Sequence, residues 1–406
     1  MISTDFAPNE TGKDVRLALS LLFQPWRWRR GKEIYNLKRR LKSRFFSLDT
    51  KISLFFTGRG ALYQYLRSLA LEPGDEVLVQ AFTCEAVVLP ILDLGFIPVY
   101  IDIDEQDFSM TLADLKKKYS PQSKVLILQH TFGITPKNRR NILTFATKKG
   151  LHVIEDVAHG FDITLFKHKR FTGAVLMSFG RSKLFSSVFG GAIATREKRI
   201  GALMKESERH LPNPSTWFLL QLILYKINAV IIRVLYNLYL GKIIHFLFKQ
   251  FNLIIPEITK REKMGKFDTT MLKTYPNVGA IFMLEQLNRF NDVYKRRQAL
   301  SNIYYYGLRP KQHSTYQNAI NRFPYITKHR DSIRAFAAKH HIFLGNWYSQ
   351  VVAPKELNLM DVCYKSGSCP KAEMLAKCTL NLPTHISVAE SEGILQVVNK
   401  ARQKAL

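Results

Sequence analysis

An amine and a carboxylate at the ends of two apolar runs define the chemistry this chain could perform. Lys183 closes the stretch Ser178-Phe179-Gly180-Arg181-Ser182-Lys183, just before Gly190-Gly191, and 27 residues upstream Val153-Ile154-Glu155-Asp156 ends in an acid. Runs such as Val153 to Asp156 and Ala174 to Phe179 read as buried strands, and open α/β sheets bind ligands beyond the carboxyl ends of their strands. Two neighbouring strand ends would offer one acid and one amine to a shared crevice. Pyridoxal 5'-phosphate needs that pair: a lysine to hold its aldehyde as a Schiff base, and a carboxylate to keep its ring nitrogen protonated. Taken singly, each residue also fits a bland role, a solvated loop lysine or a helix-capping aspartate.

The surrounding motifs give the pair a context. Thr57-Gly58-Arg59-Gly60-Ala61-Leu62, Pro73-Gly74-Asp75-Glu76-Val77, Ala81-Phe82-Thr83, His130-Thr131-Phe132-Gly133, Asp156, Ser178 to Lys183 and Gly190-Gly191 follow one another in order. Further on stand Gln286-Leu287 with Arg296-Arg297, and Pro370 to Glu373 with Leu382-Pro383-Thr384-His385. Together these resemble the DegT/DnrJ/EryC1/StrS family of pyridoxal-phosphate-dependent sugar aminotransferases over roughly residues 51 to 400. The resemblance implies a fold-type I transferase: α/β, with a mostly parallel central sheet in a large domain and a smaller C-terminal α+β domain. It implies a homodimer that moves an amino group from glutamate to a nucleotide-linked keto-sugar.

Roles follow residue by residue. Lys183 is the expected Schiff-base lysine and Asp156 the partner of the pyridine nitrogen; Glu155, one residue earlier on the strand, points to the other face as a structural group. Gly58-Arg59-Gly60, opening a helix over Ala61 to Leu69, offers backbone donors and a helix N-terminus to the phosphate. Arg59 stands where the resemblance implies a small hydroxyl residue. Ser178 matches a phosphate-binding serine, and Asn277 matches a residue reaching the phosphate from the partner subunit. Two positions depart from the pattern: Cys84 replaces a ring over the cofactor, and His159 replaces a glutamine. Either His159 supplies a ring or hydrogen bond of its own, or the site has drifted and the fold serves as a membrane-associated scaffold or regulator.

From Thr57 to Thr195, β-branched runs alternate with helical stretches: Glu76 to Val79, Val99 to Ile101, Lys124 to His130, His152 to Asp156, Ala174 to Phe179 and Gly191 to Thr195. That alternation predicts βα units with helices on both faces of a sheet. The expected divisions are a basic, aromatic N-terminal arm (1–50), the large cofactor-binding domain (51–212), an apolar and basic helical insert (213–256), and the rest of the interface with the small domain (257–406).

The charge balance is unusual, with 60 Lys and Arg against 32 Asp and Glu, a net charge of +28. Such an excess attracts phosphate-rich surfaces. No finger, recognition-helix or RNP-like motif accompanies it, so nucleic acid is not an expected partner. The arm carries 11 basic residues against 5 acids and interleaves rings with cations at Trp26-Arg27-Trp28-Arg29-Arg30. The insert continues the theme from Trp217 to Phe248, through Leu238-Tyr239-Leu240, with Lys226, Arg233, Lys242 and Lys249 interrupting it. A helical pair hinged near Gly241 and lying in a membrane interface satisfies both facts, since basic stems snorkel. A buried helical pair or a subunit interface is the alternative. The four cysteines, Cys84, Cys363, Cys369 and Cys378, show neither zinc spacing nor a disulfide framework, and residues 1–10 lack a signal-peptide pattern. The expected location is the cytoplasm, with peripheral contact on the inner face of the membrane.

Overall fold

The computed structural model describes residues 2–6, 8–167, 171–236, 240–250, 253, 255–308 and 318–405. Its centre is a sheet of β1 (Lys51–Phe55), β2 (Glu76–Gln80), β3 (Ile97–Ile101), β4 (Ser123–Gln129), β5 (His152–Asp156), β6 (Ala174–Ser178) and β7 (Gly191–Thr195). The strand order is β1-β7-β6-β5-β4-β2-β3. Strands β6, β5, β4, β2 and β3 run parallel, and β7 is antiparallel to both β6 and β1. Val125, Leu126, Ile127 and Leu128 of β4 are all fully buried, so this strand is covered on both faces and reads as an unbroken apolar run. The six expected strands are all present; β1, whose Lys51 and Ser53 dilute its apolar pattern, is an addition.

The helices that concern the site are α1 (Gly12–Leu22), α2 (Glu33–Phe45), α3 (Gly58–Ser68), α4 (Glu85–Asp93), α5 (Thr216–Leu235), α6 (Leu240–Gln250) and α7 (Asn277–Asn288). Thr57 fixes the start of α3, its hydroxyl accepting from the Gly60 N–H at 3.0 Å. Leu37, Leu41 and Phe45 recur at helical spacing on α2 and bury together against Ala192 and Ala194 of β7. Beyond α7, Arg322–Ile326 pairs antiparallel with Thr379–Pro383, and helices Arg330–Lys339, Pro370–Cys378 and Val388–Ala405 complete a small α+β unit.

Residues 1–50 are not a loose arm. Ile2–Ser3 pairs in parallel with Ile342–Phe343, and the Thr4 hydroxyl donates to the Asn381 carbonyl at 3.2 Å. Asn9 reaches three ways: its Nδ2 donates to the Lys183 carbonyl at 2.7 Å, its Oδ1 accepts from Arg297 at 3.0 Å, and its carbonyl accepts from Arg289 at 3.0 Å. Glu10 meets Lys226 of α5 at 2.7 Å with both side chains wholly buried, and Lys226 also donates to the Ser186 carbonyl at 3.0 Å. The sequence marked Lys226 only as a break in an apolar run; it is an internal ion pair.

The insert resolves into two faces. α5 is long and apolar enough to cross a membrane by length and composition, yet half of it is buried against protein. Leu219, Leu222, Ile223 and Ala229 pack inward with Ala18 and Leu21 of α1. Trp217, Ile231 and Val234 of α5, Leu240, Ile243, Phe246 and Leu247 of α6, and Leu19, Phe23 and Trp26 near α1 stay exposed. Gly241 sits against the Ile232 carbonyl, where only a residue without Cβ fits, so the two helices close tightly near the expected hinge. Leu238 and Tyr239 lie outside the described residues.

Candidate active site

Asp156 closes β5 and Ser178 closes β6, so adjacent parallel strands deliver both to the carboxyl edge of the sheet. The loop after β6 returns Lys183 to the same place. Asp156 and Lys183 line one cavity of about 420 Å³, together with Gly58, Arg59, Cys84, His159 and Ser178. Of the nine expected site residues, Gly60 and Asn277 are not among its lining. Gly60 is one residue further into α3, its N–H spent on Thr57. Asn277 is wholly buried beneath the N-terminal segment, its Nδ2 donating to the Arg27 carbonyl at 2.8 Å.

The Asp156 carboxylate accepts from the Ala158 N–H at 2.9 Å and from Gln129 Nε2 at 3.2 Å. Burial raises its pKa, and the Ala158 N–H, Lys183 and Gln129 reverse only part of that rise. A cationic N–H placed against it would remove the penalty of keeping this carboxylate charged. Glu155 faces the opposite way, as expected, and is clamped by Arg139 through two 2.6 Å bonds and by His130 at 3.1 Å. Burial pushes its pKa up, and these donors more than reverse the rise, leaving it below the usual value.

Lys183 is held through its backbone: its N–H donates to the Gly180 carbonyl at 3.2 Å and its carbonyl is gripped by Asn9. The side chain is left to project over Trp347, with Nζ 5.0 Å from the ring centroid. Burial, reinforced by Lys183 and Arg322, drives the His159 pKa well down, so its ring is neutral. Its Nδ1 accepts from the Phe132 N–H at 3.1 Å, which places the ring proton on Nε2, facing the Tyr348 hydroxyl at 3.0 Å. His159 also lies 5.3 Å from the Trp347 ring. His159, Trp347 and Tyr348 thus form an aromatic wall of the cavity, opposite in character to the small Cys84 side chain that also lines it. Burial, with Glu85 adding to it, lifts the Cys84 thiol to about 12, so it stays protonated and is no nucleophile.

Three features fit a phosphate-bearing aldehyde cofactor. The first N–H groups of α3 have no intrahelical acceptor and open on the cavity at Gly58 and Arg59. Arg59, ion-paired with Glu262, leaves its Nη2 buried without a partner, as does the Ser182 hydroxyl on the same cavity. Asp156 lacks a full counter-charge. Glu85, Gln129, Trp347 and Tyr348 were not foreseen; only Glu85 left a trace, as a lone charge inside the apolar run Cys84 to Leu92.

Residues 14–213 match the model of the DegT/DnrJ/EryC1/StrS aminotransferase family. Over that segment the chain is similar to this family of aminotransferases. It is 34% identical over 170 residues to the UDP-N-acetyl-3-dehydro-α-D-glucosamine 3-aminotransferase of Acidithiobacillus ferrooxidans, covering 40% of this chain and 43% of that protein. It is 27% identical over 199 residues to the GDP-perosamine synthase of Escherichia coli O157:H7, covering 48% and 53%. The chain therefore spans about half, or less, of the length of these relatives. The crystal structure of NtdA from Bacillus subtilis with bound cofactor PMP superimposes with a TM-score of 0.71 at 17% identity, over 97% of this chain and 83% of that one. That likeness extends the shared fold across nearly the whole chain.

Proposed function

We propose that this protein is a pyridoxal-phosphate-dependent aminotransferase that moves an amino group from glutamate to a nucleotide-linked keto-sugar in polysaccharide or cell-surface glycan biosynthesis. The observation carrying this reading is that Lys183 and Asp156 share one cavity with the start of α3. When bound there, the cofactor supplies an electron sink for the carbon that gains or loses nitrogen. Asp156 would hold the ring nitrogen, and the α3 N-terminus, Arg59, Ser178 and Ser182 would hold the phosphate. Lys183 would anchor the aldehyde and, released, carry a proton to and from the reacting carbon. The neutral His159 and the rings of Trp347 and Tyr348 exclude water from one side. Those rings also answer the loss of an aromatic at position 84, which had favoured the scaffold alternative.

The test is direct. Purified protein supplied with pyridoxal phosphate is expected to absorb in the visible and to lose that band in Lys183→Ala. Glutamate with UDP-N-acetyl-3-dehydro-α-D-glucosamine and related nucleotide keto-sugars would then identify the acceptor. A wild-type chain with no visible band would end the reading.

The working form we propose is a homodimer, peripherally bound at the inner face of the membrane. The exposed rings of Trp26, Trp217 and Phe246 belong to neighbouring elements, Arg29 donating to the Thr216 hydroxyl at 2.7 Å, and the chain's +28 charge complements anionic headgroups. Sedimentation measures the first claim. Flotation with anionic and neutral vesicles measures the second, and a protein that ignores both lipids would refute it.

A further inference from the structure

Glu85 has no part in the chemistry assigned so far, although it opens α4 on the wall of the same cavity as Lys183. It is 3% exposed. The groups facing it are Arg59 from α3, Glu262 from the turn Lys260–Lys263, Lys183, Cys84 and Tyr348. Of the two cations, Arg59 is already ion-paired with Glu262, and Lys183 leans over Trp347. Glu85 is left with a hydrogen bond from its own backbone N–H and no counter-ion of its own. A carboxyl in that position is expensive to keep charged and has no structural partner to justify it. Burial lifts its pKa to about 7, Arg59 opposing the rise and Glu262 adding to it. Both protonation states are therefore accessible at neutral pH, as acid–base work requires.

We propose that Glu85 is a catalytic residue that relays protons between nitrogen and oxygen when an amine and a carbonyl combine or separate in this cavity. The inference rests on the aminotransferase reading. As the C–N bond forms, a first N–H bond breaks and its proton passes through the Glu85 carboxylate to the former carbonyl oxygen, making it a hydroxyl. A second N–H proton follows the same route as the C–O bond breaks, so oxygen departs as water and a C=N bond is left. Glu85 ends as it began, and the reverse sequence releases a keto acid from an amino acid. Lys183 remains responsible for the proton on carbon.

The experiment compares wild type, Glu85→Gln and Glu85→Asp, each loaded with pyridoxal phosphate and mixed with glutamate between pH 5.5 and 8.5. Loading is read as the visible band, and turnover as 2-oxoglutarate release. The expected result is equal loading in all three, a rate in Glu85→Gln lower by roughly 10²-fold, and partial rescue in Glu85→Asp. The wild-type rate should climb with pH through about 7, and that limb should vanish in Glu85→Gln. A Glu85→Gln protein that loads normally and keeps both rate and acid limb overturns the proposal while leaving the aminotransferase reading intact. A wild type that never loads overturns both.

Discussion

The cavity beneath Lys183 and the outer layer of α1, α5 and α6 solve opposite problems. Buried polar groups must each find a partner, so Glu155, on the far face of the strand, is saturated by Arg139 and His130, whereas Asp156, Glu85 and Arg59 on the cavity keep unspent capacity. In the outer layer apolar groups are exposed, and the buried charges of Glu10 and Asp14 are paired, with Lys226 and Arg289 respectively. Unspent polarity inside marks where a small charged molecule belongs. Unspent apolarity outside marks where a large surface belongs.

That contrast can be broken at either end. Lys183→Ala should abolish transamination and the visible band, the largest effect expected anywhere in the molecule. Asp156→Asn should retain part of the cofactor binding yet lower turnover by about 10²- to 10³-fold, as loss of one matched charge in a dry site does. Glu10→Ala strands Lys226 in the interior and should cost about 3–5 kcal/mol in urea unfolding, far more than truncating any exposed ring of the same layer. In Glu85→Gln the cofactor-free protein should gain stability over wild type at pH 8, about 3 kcal/mol, and nothing at pH 4. The sign follows from the pKa, which is raised from 4.5 to about 7 by burial: the folded state binds the proton more tightly, so stability falls as pH rises between those values. Glu155 works in reverse, its lowered pKa giving stability that is lost as pH falls below the ordinary glutamate value. Smallest on folding, and decisive for lipid, is the pair Trp217→Ser and Phe246→Ser, which should leave unfolding within about 0.5 kcal/mol of wild type while abolishing flotation with anionic vesicles.

The cavity was legible where chemistry follows strand ends. Val153 to Asp156 and Ala174 to Phe179 announce themselves as apolar runs, so Asp156 and Lys183 could be expected at neighbouring strand ends before any coordinates, with Ser178 added by the resemblance. Trp347 and Tyr348 could not, because they arrive from a segment almost 190 residues away whose local pattern says nothing of its destination; the Tyr348 bond to His159 spans 189 positions. Composition marked the outer layer without resolving it, since an apolar helix bound for protein and one bound for lipid read alike, and α5 does both at once. The first ten residues were misleading in the opposite sense. Asn9 and Glu10 look like ordinary polar residues at a chain end, and only their long-range partners reveal what they hold.

The Asn9 grip on the Lys183 carbonyl has a consequence for how the fold comes into being. The segment it belongs to also closes onto Asn381, a contact between positions 377 residues apart, and onto Arg297 across 288. Strand Ile2–Ser3 therefore stays unpaired until the residues around 342 and 381 have also been translated. The loop that carries Lys183 would gain its Asn9 contact late, so a chain still being made would possess its central sheet while the cavity beside Lys183 was unfinished.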